Sequence, residues 1–164
     1  MNIVFLGIGT NLGNREANLK EAVARIQESV GNVVKSSSVY ETEPWGFHSE
    51  SEFLNMAVKV ETSLPPSGLL SRILMIESLL GRLRGEKQYS SRKIDIDILV
   101  YEDIIIDEMS LKIPHPLLHE RKFVLVPLCE IEPGLVHPVF KKTMSSLLDS
   151  CPDKSNVRRY STPF

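Results

Sequence analysis

Cysteine is scarce in this chain: Cys129 and Cys151 are the only two in 164 residues. They form no CxxC or metal-ligand spacing and are too few for a disulfide framework, so a reducing, cytoplasmic compartment is the simplest expectation. An excess of positive charge is missing too. The 19 basic residues against 21 acidic ones leave a net charge of -2, so no global field recruits nucleic acid or an anionic membrane, and any polyanion site must be local. Long hydrophobic runs are lacking. The opening stretch Met1-Asn2-Ile3-Val4-Phe5-Leu6-Gly7 has no basic region and is too short for a signal peptide or a membrane span, and neither is expected. Repeats, low-complexity blocks and linkers are absent as well. What remains is globular, 42% hydrophobic and 24% charged, which suits one domain over 1–164 with a real core and leaves little room for two.

Against that background one segment stands out. Arg92-Lys93-Ile94-Asp95-Ile96-Asp97-Ile98-Leu99-Val100-Tyr101 puts two carboxylates inside an apolar, β-branched run. In a strand, side chains alternate faces, so Asp95 and Asp97 share one face while Ile94, Ile96 and Ile98 share the other. The two Cα atoms then lie roughly 7 Å apart, two steps of ~3.3 Å. Like charges at that spacing repel by about 2 kcal/mol at an effective dielectric near 20, and apolar neighbours add desolvation. Divalent cations would remove both penalties, since hard cations such as Mg²⁺ take carboxylates together with substrate phosphates. On this segment alone, an edge strand showing its polar face to water accounts for the alternation equally well.

The rest of the chain alternates strand and helix patterns. Residues 2 to 9 read as a buried strand, followed by a turn over Gly9-Thr10-Asn11-Leu12-Gly13-Asn14 with Asn14 as N-cap. Leu19, Ala22, Val23, Ile26 and Val30 then recur at helical spacing, with Gly31 as a stop. Val33 to Glu41 and Leu54 to Thr62 read as strands around a loop over residues 42–52. Pro65-Pro66-Ser67 opens a helix that runs to about Leu80, ended by Gly81, with Leu69, Leu70, Ile73, Ile76 and Leu80 on its apolar side. After the aspartate strand, Ile104 to Ile106 is expected to pair with it as a hairpin across Glu102-Asp103. Arg121 to Ile131 reads as helix, Thr143 to Asp149 as a short helix, and the tail after Cys151 as polar and loosely packed. The order β, α, β, β, α, β is the split βαβ pattern, which predicts an α+β fold: a ferredoxin-like antiparallel sheet flanked by helices.

Fold does not decide function, so the chemistry must come from side chains. Arg82, Arg84, Lys87, Arg92 and Lys93 place five basic residues within twelve positions, immediately before the aspartates. Carboxylates that can hold cations beside a basic loop suit a polyphosphate, although a solvated loop that merely offsets Asp95 and Asp97 is the plainer alternative. The glycines of Gly7-Ile8-Gly9-Thr10-Asn11-Leu12-Gly13 have neither dinucleotide spacing nor the lysine of a P-loop, and a tight strand-to-helix turn explains them better. His115 and His119 are four apart, but Pro116 argues against a shared helix and hence against a zinc pair. That leaves His115 as a loop histidine or a single phosphate contact. Glu77 falls with Leu70, Ile73 and Leu74 at the edge of an apolar helix face. Asn55 is a strand-start amide, able either to cap or to read a heterocycle.

Taken together, several motifs resemble the 6-hydroxymethyl-7,8-dihydropterin pyrophosphokinase family of folate biosynthesis over nearly the whole chain. They are the glycine segment above, Tyr40-Glu41-Thr42-Glu43-Pro44, Phe53-Leu54-Asn55, Gly81-Arg82-Leu83-Arg84, the Arg92 to Leu99 run, Ile113-Pro114-His115-Pro116, Arg121-Lys122-Phe123 and Pro127-Leu128. The resemblance implies transfer of a pyrophosphoryl group from ATP to the pterin hydroxymethyl oxygen with release of AMP. It implies that Asp95 and Asp97 hold two Mg²⁺ ions and that Arg82 and Arg92 stabilise the phosphates as catalytic residues. Glu77, Arg84, Ile98, His115 and Arg121 match ATP-side positions. Thr42 and Asn55 match readers of the polar edge of the pterin, Phe53 and Phe123 its aromatic walls, and Trp45 lies on the adjacent loop. Expected partners are therefore ATP and the dihydropterin, with the chain a monomer and neither nucleic acid nor membrane involved. Two departures occur: Gln88-Tyr89-Ser90-Ser91 replaces the Trp-Gly-Pro that usually precedes the signature arginine, and Pro116 stands where a tyrosine is common.

Overall fold

The computed structural model describes residues 1–42, 52–81 and 93–163. Its centre is β1 (Asn2–Thr10), whose apolar residues are buried on both faces. β1 pairs antiparallel with β4 (Phe53–Thr62) on one side and with β5 (Asp95–Tyr101) on the other. Beyond β4 lie β2 (Asn32–Ser36) and β3 (Val39–Thr42), each paired with a different part of it, and β8 (Arg158–Ser161) adds to β3. The path β5-β1-β4 followed by β2 and β3 is the ferredoxin-like order that the element pattern predicts.

Each sheet face is covered by helices for a reason visible in the alternation. Val4, Leu6 and Ile8 of β1, Met56, Val58 and Val60 of β4, and Ile96 and Ile98 of β5 point to one face. There they meet α1 (Arg15–Ser29) through Leu19, Ala22 and Ile26, and α2 (Pro66–Leu79) through Leu69, Ile73 and Ile76. Phe5, Ala57, Leu99 and Val100 point to the other, against α3 (Lys122–Ile131) and α4 (Met144–Asp149). A β-bulge makes this second cluster possible. Leu6 opposes Ile98 while Phe5 opposes Val100, so Leu99 is the extra residue and both Leu99 and Val100 reach the second cluster.

The capping expectations hold: Asn14 Oδ1 accepts from Ala17 N–H at 3.1 Å, and Gly81 takes the left-handed conformation (φ +95°) after α2. Gly31 ends α1 for a different reason. A Cβ there would stand 2.1 Å from the Glu61 carbonyl oxygen, so glycine is required because the chain runs directly against β4.

Three expectations need correcting. Val33 to Glu41 is two strands, not one. At the break Ser37 takes both backbone groups of Ala57, its N–H donating to the carbonyl and its Oγ accepting from the amide, while Ser38 donates N–H and Oγ to Glu130. Serine hydroxyls that replace ladder bonds leave no break in apolar periodicity to read. Ile104 to Ile106 does not pair with the aspartate strand. Glu102 adopts φ +48°, Ile104 N–H closes a turn on the Tyr101 carbonyl, and β6 (Ile106–Asp107) pairs instead with β7 (Lys112–Ile113). The tail after Cys151 is not loose: β8 pairs with β3, and Asp153 accepts from Lys122 N–H. Its polar sequence is that of an exposed edge strand.

The approach at Gly31 yields a test. Gly31→Ala should cost about 3 kcal/mol in urea unfolding, because backbone must move to admit the methyl. Gly134→Ala, with nothing within 4 Å of its added Cβ, should stay within about 0.5 kcal/mol of the parent. Equal stability of the two variants would contradict the account.

Candidate active site

Strand register, more than any single contact, assembles the site. Asp95 lies opposite Gly9 and Asp97 opposite Gly7; on the other side of β1, Gly9 lies opposite Asn55 and Gly7 opposite Ala57. Asn55 in turn opposes Tyr40, and Phe53 opposes Thr42. Opposed residues share a face, so Asp95, Asp97, Asn55, Phe53 and Thr42 line one face across four strands. It is the face that α3 and α4 cover at its other end. The alternation expected for Asp95 and Asp97 is thus observed, both carboxylates half-buried and Ile94, Ile96 and Ile98 buried behind them.

Glycines make the floor of this face low. A Cβ on Gly9 would come 2.6 Å from Asn55 Oδ1, so the amide lies over the strand in space that only glycine leaves. Asn55 Nδ2 reaches Thr42 Oγ1 at 3.4 Å, and Thr42 is buried. The glycine pattern is therefore more than a turn: Gly7 and Gly9 lie within β1. Glycines two apart in an apolar strand were the signal for a flat floor. Tyr40 was also missed as support. Its hydroxyl donates to Glu130 at 2.6 Å, and burial followed by that carboxylate raises its pKa, so α3 is tied to the strand carrying Thr42.

His115 reaches the carboxylates from the segment after β7. Its backbone N–H donates to the Leu99 carbonyl at 2.9 Å, and its Nδ1 accepts from Leu117 N–H at 3.1 Å, which leaves Nε2 4.0 Å from Asp97 Oδ2. Burial, reinforced by the Arg121 charge and opposed by Asp95, pulls its pKa down to about 4. His115 is consequently a neutral Nε2–H donor at pH 7. Among the described residues no three His, Cys, Asp or Glu side chains are grouped to hold an ion, and His119 packs edge-on against Phe140. Arg121 immediately precedes α3, with its guanidinium 5.7 Å from the centre of the Phe123 ring. α3 packs on β4, the strand that carries Phe53 and Asn55.

Two positions differ from their expected setting. Glu77 is 3% exposed rather than on a boundary, and Leu74, which was grouped with it, is 53% exposed. The inward face of α2 turns on Leu69, Ile73 and Ile76, and Glu77 Oε2 accepts from Ile96 N–H at 2.8 Å, between the two aspartates. The Ile98 side chain points into the helical core, away from the carboxylates, so only its backbone on this end strand of the sheet is placed for a ligand. Trp45, Arg82, Arg84 and Arg92, with the loops around them, lie outside the described residues.

Residues 5–133 match the 7,8-dihydro-6-hydroxymethylpterin-pyrophosphokinase (HPPK) family. The chain belongs to it. An HPPK relative, the 2-amino-4-hydroxy-6-hydroxymethyldihydropteridine pyrophosphokinase of Aquifex aeolicus, is 42% identical over 144 residues, 88% of this chain and 89% of that one. The Bacillus subtilis protein of the same name is 45% identical over 131 residues, 79% of this chain and 78% of its own. Among solved structures, a Plasmodium falciparum HPPK-DHPS superposes with a TM-score of 0.73 at 19% identity over 91% of this chain, a likeness of fold. The chain spans only 44% of that longer one. No helix among the described residues is long and apolar enough to cross a membrane.

Gly9→Ala should push the Asn55 amide off its place while the melting temperature changes little, because only a side-chain end must yield; the NMR shifts of the Asn55 side-chain amide in the variant check this, and unchanged shifts would refute it. The His115 shift makes stability pH-dependent. An unfolded histidine protonates near 6.5 and this one near 4, so between those values the unfolded state binds more protons and stability falls as the pH drops. By about pH 5 the loss from this group should reach about 2 kcal/mol, with none above about pH 7. Urea unfolding of the parent and of His115→Gln at both pH values should show the smaller acid loss in the variant; identical losses would contradict the assignment.

Proposed function

We propose that this chain, as a monomer in the cytoplasm, transfers the pyrophosphoryl group of ATP to the hydroxymethyl oxygen of 6-hydroxymethyl-7,8-dihydropterin and releases AMP. The observation that carries the reading is the shared sheet face: two carboxylates on β5 and an amide-hydroxyl pair on β4 and β3, separated by a glycine floor. Such a face can seat a phosphate chain and a flat heterocycle side by side, and holding both reactants in line replaces a bimolecular encounter with a positioned one.

On the pterin side, Asn55 and Thr42 supply donors and acceptors for the polar edge of the ring. Phe53 and Phe123 flank the ring with apolar surface, and Trp45 is assigned to the same subsite. On the nucleotide side, neutral His115 donates Nε2–H to a phosphate oxygen, while Arg121 and Arg84 add cationic donors. Arg82 and Arg92 are the groups assigned to the charge that develops as the pyrophosphoryl unit transfers. Ile98 offers its backbone to the nucleotide. Glu77 acts through the Ile96 amide that it holds.

Asp95 and Asp97 suit Mg²⁺ by donor chemistry: two half-exposed carboxylates of hard oxygen on one face, with the remaining coordination positions left to water and phosphate. They are the residues that would hold two such ions, which supply charge neutralisation of the phosphates and lower the pKa of the attacking hydroxyl.

Product analysis tests the proposal. With ATP, Mg²⁺ and the dihydropterin the protein should form AMP and a pyrophosphorylated pterin, each dependent on all three components. Asp97→Ala should lower turnover by about 10³-fold with a near-parental melting temperature. Release of pyrophosphate instead of AMP, or full turnover by Asp97→Ala at saturating Mg²⁺, would overturn it.

A further inference from the structure

Asp95 begins β5, and the peptide just before it is held by two buried residues from the opposite end of the sequence. Thr10, fully buried at the end of β1, donates its hydroxyl to the Lys93 carbonyl. Asn18, in the first turn of α1 and 9% exposed, shares its two amide hydrogens among the Leu12 carbonyl at 2.7 Å, the Lys93 carbonyl at 3.2 Å and Thr10 Oγ1 at 3.3 Å. Three residues on, Glu77 holds Ile96 N–H. Lys93 to Ile96 is thus fastened at its first carbonyl from α1 and β1 and at its last amide from α2, with Asp95 between the two fastenings.

These contacts do something that secondary structure does not. The β1–β5 register places Gly9 opposite Asp95 and extends no further toward Lys93, so the ladder leaves the Lys93 carbonyl unheld. A partly buried carbonyl needs a donor, and among the described residues the two that reach it are side chains. Neither is needed to cap α1, which Asn14 does. The Thr10-Asn18 pair also ties the turn that carries Gly13 at φ +68° to the strand entrance, so hydrogen bonds join the β1–α1 connection to the start of β5.

We propose that Thr10 and Asn18 are positioning residues for the transfer reaction, acting through the Lys93 carbonyl to fix where the Asp95 carboxylate leaves the sheet. The inference rests on the reading of Asp95 as a catalytic residue. Pterin contacts lie elsewhere on the face, at Asn55 and Thr42, so the effect belongs to the chemical step and not to pterin binding. A displacement near 1 Å at a reacting group can cost about 100-fold in rate.

The test compares Thr10→Val, nearly isosteric but without the hydroxyl, with Thr10→Ser, which retains it, and with Asn18→Leu. Thr10→Val and Asn18→Leu should lose about 30- to 100-fold in kcat while KM for the dihydropterin stays within about threefold. Thr10→Ser should recover most of kcat, and amide hydrogen exchange across residues 93–97 should quicken in the valine variant only. Should Asn18→Leu fail to fold, Thr10→Val against Thr10→Ser decides alone. The proposal is overturned if Thr10→Val keeps kcat within about twofold, or if Thr10→Ser is as impaired as Thr10→Val, which would make bulk and not the hydroxyl responsible. Asp95→Asn assayed alongside separates the two levels: inactive Asp95→Asn with a fully active Thr10→Val sinks this inference alone, whereas a fully active Asp95→Asn sinks the proposed function and this inference together.

Discussion

The antiparallel register of β1 with β4 and β5 is the constraint on which the rest of the molecule depends. Strand side chains repeat every two residues, so one register assigns every side chain to a face, and a slip of one residue would reverse all of them. Here that reversal would drive Asp95 and Asp97 into the layer occupied by Leu19, Ala22, Ile26 and Ile73, and would turn Ile94, Ile96 and Ile98 outward. Burying two carboxylates in that apolar layer would cost several kcal/mol each, so the layer between sheet and helices holds the Asp95 and Asp97 face in register.

The same constraint explains the composition of the face. Its far end is filled by Phe5, Ala57, Leu99 and Val100 under α3 and α4, while Gly9, without a side chain, leaves room at the near end for the Asn55 amide. The Leu99 bulge is what changes the character of β5 along its length, from half-buried aspartates to two successive apolar residues packed on a helix layer. His115 depends on this irregularity too, since its backbone N–H docks on the Leu99 carbonyl and so brings the imidazole beside Asp97. Half-buried and neutral, it can offer a hydrogen bond to an anion without competing as a cation for the carboxylates.

Much of this was legible in the residues. Period-two alternation marked β1, β4 and the face shared by Asp95 and Asp97, and the Asn14 cap and the Pro65-Pro66 start bounded the two long helices. What escaped reading was settled by partners distant in sequence. The break at Ser37 and Ser38 depends on Ala57 and Glu130, the fate of the tail depends on an open edge at β3, and the burial of Glu77 depends on an amide of β5. No local pattern encodes such pairings. Gly31 shows a subtler limit, since a helix stop was correctly placed while the reason, contact with the Glu61 carbonyl, lies thirty positions away.

The most direct test of the central claim, that the Asp95 and Asp97 face of the sheet is where the phosphate chain and the pterin meet, is a crystal structure with a non-hydrolysable ATP analogue, Mg²⁺ and the dihydropterin. Metal ions should lie about 2.1 Å from carboxylate oxygens of both aspartates, and the pterin ring between Phe53 and Phe123 with its polar edge on Asn55. Metal and phosphates bound away from β5, with Asp95 and Asp97 facing only water, would contradict it.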